Sequence, residues 1–75
     1  MFDFHYLQIK SSRKTDLYKL GFNKADVRGE YERDGRFRKT IYVVSVHGDV
    51  AELEAKQAQA QNAGLRSIIR FHAAD

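Results

Sequence analysis

The stretch Tyr31–Val46, YERDGRFRKTIYVVSV, reads as a β-hairpin whose basic, aromatic tip runs into a strongly apolar strand. The fold depends on its register. Asp34-Gly35 is the expected turn, because a two-residue type I′ turn needs positive φ at both central positions, which Asp tolerates and Gly adopts freely. Arg33 then faces Arg36, Glu32 faces Phe37, Tyr31 faces Arg38 and Glu30 faces Lys39. Side chains alternate across a sheet, so Tyr31, Arg33, Arg36, Arg38, Tyr42, Val44 and Val46 share one face. Glu30, Glu32, Phe37, Lys39, Ile41 and Val43 share the other, with Glu30 and Lys39 as a cross-strand ion pair of marginal value on an exposed sheet. The strands span about Val27 to Arg33 and Arg36 to His47.

Downstream of the hairpin, Asp49 and Glu52 form the aspartate version of an N-terminal capping box, and Gly64 is a stop after ELEAKQAQAQNA, so a helix is expected between them. Its apolar stripe is thin, Val50, Leu53 and alanines, which suits a close approach to a sheet. Leu65 to Ala73 alternates Leu65, Ser67, Ile69, Phe71 and Ala73 against Arg66, Ile68, Arg70 and His72, a last strand with one basic face.

Upstream, Phe2 to Lys10 alternates Phe2, Phe4 and Tyr6 against Asp3, His5, Leu7 and Ile9. This predicts a first strand with its aromatic side toward the core. Ser11 or Ser12 caps a short helix to about Leu20, with Leu17 and Leu20 on one side and Gly21 as the C-terminal stop. An extended conformation for residues 12–22 is the alternative and would add a strand to the sheet. Asn23-Lys-Ala-Asp reads as a loop or one helical turn, and Gly29 as the mark of a bulge.

These elements make residues 1–75 a single small α+β domain: an antiparallel sheet, one long helix, and the order β-α-β-β-α-β of the ferredoxin-like split βαβ arrangement. Both helices then lie on one sheet face and the other is open. The expected open face carries His5, Leu7 and Ile9, then Phe37, Lys39, Ile41 and Val43, then Arg66, Ile68, Arg70 and His72. That is an apolar centre rimmed by charge, which has the anatomy of a protein interface.

A chain of 75 residues without cysteine has no disulfide or thiolate site to supplement a small core, so packing or association must stabilise it. The size raises the expectation of a homodimer. No run approaches the ~20 apolar residues of a membrane helix, and MFDFHYLQIK lacks the order of a signal peptide, so a cytoplasmic protein is expected. The formal charge of +3 is concentrated in residues 10–39, while residues 40–65 hold Lys56 against Asp49, Glu52 and Glu54.

No catalytic set can be assembled from spacing. The three histidines show no HxH, HxxxH or HExxH pattern. Pairing of the first and last strands nonetheless brings His5 and Asp3 near His72, a conceivable metal pair short of the three ligands needed. The serines lack elbow glycines, and the five glycines are scattered singly and form no phosphate loop. The expectation is a non-enzymatic protein with no cofactor and no metal.

The partner-binding candidates are Arg33, Arg36, Arg38, Phe37, Lys39, Ile41, Val43, Arg66, Ile68 and Arg70. They suit an acidic protein surface or nucleoprotein complex, selected by charge. The second reading is an RNA or single-stranded DNA module with Phe37 stacking and Lys39, Arg66 and Arg70 on phosphates. RFRKTIYVV lacks the glycine and second aromatic of the RNP1 pattern. In its small size and absence of motifs, the chain resembles the accessory inhibitors of phages and mobile elements, anti-CRISPR proteins among them. The resemblance implies a protein that acts by occupying a surface.

Overall fold

The computed structural model describes residues 3–73. They form β1 (Asp3–Ser11), α1 (Lys14–Lys19), a 3-10 turn (Lys24–Asp26), β2 (Arg28–Asp34), β3 (Phe37–Gly48), α2 (Val50–Asn62) and β4 (Arg66–Ala73). The four strands make one antiparallel sheet in the order β2-β3-β1-β4. β1 and β2, joined through α1, flank β3, whereas β3 and β4, joined through α2, flank β1.

Both helices pack on the same sheet face. Leu17 of α1 and Leu53 and Ala60 of α2 meet Leu7, Ile9 and Val44 in one buried cluster, and each fully buried leucine contributes roughly 2–3 kcal/mol by leaving water. α2 starts as its cap predicts: the Glu52 amide donates to Asp49 Oδ1 at 2.9 Å. Its buried residues are Leu53 and Ala60, while Val50 is exposed. Residues 12–22 contain α1, shorter than expected and ending before Gly21. Its N-cap is Arg13, which makes no side-chain cap. Ser11 organises this entry instead, accepting from the Arg13 amide at 3.1 Å and donating to Asp16 Oδ2 at 2.8 Å. Asn23 to Asp26 is a single turn, tied by the Asn23 amide to Asp26 Oδ2 at 3.1 Å.

Three expectations are corrected. The hairpin loop is Gly35-Arg36, with Asp34 opposite Phe37, Arg33 opposite Arg38 and Glu32 opposite Lys39. Gly35 has φ of +62° and no non-glycine described residue has positive φ, the sign pattern of a II′ turn, which spares Asp34 the left-handed region. Each strand has slid by one residue, so the pairs change while the division into faces survives. Glu30 lies opposite Ile41 and bridges Arg28 at 3.7 Å rather than Lys39.

The second correction concerns β1. Leu7 and Ile9 are buried on the helix face, opposite Val46 and Val44 on one side and Ile69 and Ser67 on the other. Tyr6, Gln8 and Lys10 are on the open face. The aromatic side is therefore not the core side: its parity continues into Gln8 and Lys10, which cannot be buried cheaply. Leu7 and Ile9 are where the helices have apolar groups to offer. Phe2 lies outside the described residues.

The third concerns Gly29, which sits in an unbroken ladder opposite Tyr42 and marks no bulge. A Cβ there would lie 4.0 Å from Tyr42 Cε1, so the Tyr42 ring leans across the bare glycine.

Candidate functional site

Two surfaces carry the predicted residues. The first is the hairpin tip, which extends beyond the area covered by α1 and α2. Residues 33 and 35–40 are all exposed. The tip presents a ring on each face: Tyr31 is 76% exposed on the helix side and Phe37 77% exposed on the open side. Arg33 and Arg38 are direct cross-strand neighbours on the Tyr31 side, with the Arg38 guanidinium 5.8 Å from the centre of the Tyr31 ring. Arg36 occupies the loop. Opposed like charges weaken a strand pair, so no folding requirement explains why two arginines stand here.

The second surface is the open sheet face, and it is more polar than its sequence implies. Ile41 and Val43 do point this way, but they are only 4% and 0% exposed. Val43 has Lys10 and Arg28 as its cross-strand neighbours, and Ile41 has Glu30. Long charged side chains lay their apolar stems over such positions and keep their heads in water. Arg66 of one edge strand reaches Glu32 of the other, with Nη2 3.2 Å from Oε2, so this pair spans the face above β3 and β1. Arg70 Nε donates to Gln8 Oε1 at 3.0 Å, and Arg28 Nη2 to Ser45 Oγ at 3.4 Å.

Glu32 is the described group with a resolved shift. The hydrogen bond from Arg66 holds its carboxyl below the ordinary glutamate range, aided by the charges of Arg66, Lys39 and Lys10 and opposed by partial desolvation.

The structure therefore brings Lys39, Arg66, Ile68 and Arg70 onto one face, with Ile68 exposed, and sets Arg33, Arg36, Arg38 and Phe37 apart at the tip. Ile41 and Val43 lie beneath the first group rather than among its exposed members. The sequence reading missed Tyr31, Glu32 and Lys10 as surface participants. The parity running through Gln8 and Lys10 was the available signal for the last.

Two of the histidines stand against rings: His5 lies 4.9 Å from Phe71 and His47 5.8 Å from Tyr6. In the ladder His72 is opposite Phe4, and Asp3 opposite Ala73. Among the described residues no three His, Cys, Asp or Glu side chains gather as a metal site. No described helix is long and apolar enough to cross a membrane.

No protein-family model matches the chain, and no curated protein matches it. Among solved structures it is similar to a de novo designed protein, Foldit4, at 12% identity over 97% of this chain and 98% of that one, with a TM-score of 0.43.

Proposed function

We propose that this is a non-enzymatic binding protein that occupies an acidic surface on a partner protein, using the β2–β3 hairpin as its leading contact. One observation carries the reading: a single projecting hairpin exposes an aromatic ring on each face, 76% and 77% accessible, among Arg33, Arg36, Arg38 and Lys39. Aromatic residues and arginine are the types that dominate contact energy where proteins meet. The open face favours a protein partner, since Glu30 and Glu32 stand among its cations and patterned charge of both signs selects a protein surface. The burial of Ile41 and Val43 removes the dry apolar centre, so the tip rather than the sheet centre leads. A cytoplasmic inhibitor of the anti-CRISPR type is the setting we propose, on size and lack of motifs.

A photo-crosslinking phenylalanine analogue at position 37, compared with the same group at Glu54 on the exposed side of α2, tests the reading. The expected result is a discrete protein adduct from position 37 that disappears when Arg33, Arg36 and Arg38 are all alanine. Equal adducts from both positions would remove the hairpin from the contact. Gel filtration with a generic single-stranded oligonucleotide at two salt concentrations tests the other class of partner. A steeply salt-dependent co-migration would replace the protein reading with nucleic-acid binding, and the same elution profile reports any homodimer.

A further inference from the structure

Where the open face meets the α2–β4 connection there is a cleft of about 340 Å³, lined by Lys10, Ser12, Lys39, Ile41, Gly64 and Arg66 among others. Its three cations come from three strands, β1, β3 and β4, so the sheet itself fixes their spacing. Asp16 also lines the cleft, with its carboxylate accepting a hydrogen bond from Ser11 Oγ at 2.8 Å. The other acid reaching the cluster is Glu32, which arrives from the far edge strand and accepts from Arg66 Nη1 and Nη2 at 3.2–3.5 Å. Three positive groups thus meet two negative ones, and one positive charge is left over.

We propose that Lys10, Lys39 and Arg66 form a binding site for a phosphate group, whose place is held in the free protein by the carboxylate of Glu32. A phosphate monoester carries a charge of roughly −1.5 to −2 and three acceptor oxygens, against one charge and two oxygens for glutamate. It can engage both lysines as point charges and the arginine as a fork. Lys39 is the cross-strand neighbour of Glu32 and Lys10 that of Arg66, and the charges of all three favour the ionised form of the Glu32 carboxylate. Glu32 is 33% exposed and Arg66 61% exposed, so an incoming anion meets Arg66 directly and Glu32 swings out to water. This site shares Lys39 with the hairpin contact but uses none of the tip's arginines or rings, and it does not depend on that reading.

The experiment is an amide NMR titration of the full chain with inorganic phosphate at neutral pH, for wild type, Glu32→Gln and Arg66→Ala. Saturable shifts at Lys10, Lys39 and Arg66 are expected in wild type. In Glu32→Gln the midpoint should fall by about threefold, the scale of one exposed ion pair released, and in Arg66→Ala it should rise at least as much. Glu32→Gln keeps the shape of a half-buried side chain, so the comparison survives even if Arg66→Ala folds poorly. The same midpoint in wild type and Glu32→Gln, or no saturable shift in either, overturns the site. Parallel titrations with a phosphoserine peptide and a short single-stranded oligonucleotide identify the source of the phosphate by the lowest midpoint. Shifts confined to residues 33–38 in every titration also overturn the site, while leaving the hairpin reading standing.

Discussion

Single side chains decide how this small molecule presents itself. Val43 and Ile41 were legible as apolar groups on the open face; what alternation does not encode is that they are buried there, between Lys10 and Arg28 for Val43 and beside Glu30 for Ile41. The same limit hid Glu32, whose partner Arg66 stands on the opposite edge of the sheet, a pairing that no local spacing reveals. Its pH signature follows from the direction of its shift. A carboxylate held below its ordinary range in the folded state stabilises the protein above the unfolded-state pKa, and that contribution is lost as pH falls through the lower folded-state value. Wild type should therefore lose its stability advantage over Glu32→Gln as the solution is acidified through and below the ordinary glutamate range. Paired thermal melts from neutral to acidic pH check this, and a gap that widens on acidification would contradict it. Ser67 makes a second test. Its hydroxyl is buried with no hydrogen-bond partner among the described residues, and an unsatisfied buried polar group costs about 1–3 kcal/mol. Ser67→Ala should be neutral or stabilising by up to about 1 kcal/mol in urea unfolding.

Elements were read well where the chain announces its own ends. α2 has an aspartate cap and a glycine stop, and it lies where those two residues put it. β1 was readable as a strand but not in its orientation, because aromatic residues on one parity and aliphatic residues on the other both satisfy alternation. Its burial is decided by α1 and α2, which supply Leu17, Leu53 and Ala60 opposite Leu7 and Ile9. The hairpin was readable in its faces but not in its loop, since Asp34-Gly35 and Gly35-Arg36 both offer two-residue turns. The difference is measurable. With Gly35 at φ +62°, Gly35→Ala should cost about 1–2 kcal/mol, whereas Arg36→Ala, at negative φ, should leave the urea midpoint nearly unchanged.

At the scale of the whole molecule, 75 residues surround a core whose fully buried large side chains are Leu7, Ile9, Leu17, Leu53, Val43 and Val44. Deleting one of them is severe: Leu53→Ala should cost about 2–5 kcal/mol, a large fraction of the roughly 5–15 kcal/mol that holds a domain folded. A urea midpoint close to that of wild type would mean that α2 contributes less than its burial indicates. The overall class, a sheet with one long and one short helix, was legible from periodicity, caps and glycines together. The candidate surface was legible only in its list of basic and aromatic residues, because its division into a bare tip and a face spanned by the Arg66–Glu32 pair depends on a contact between the two edge strands. The strand order β2-β3-β1-β4 has one more outcome, in time rather than in energy. β1 is flanked by strands distant in the chain, Leu7 meeting Val46 on one side and Ile69 on the other, so neither of its ladders closes without first drawing a long loop together. The β2–β3 hairpin has no such delay. Stopped-flow refolding should therefore fall in the millisecond-to-second range of domains dominated by distant pairings, with the hairpin as the segment able to form earliest.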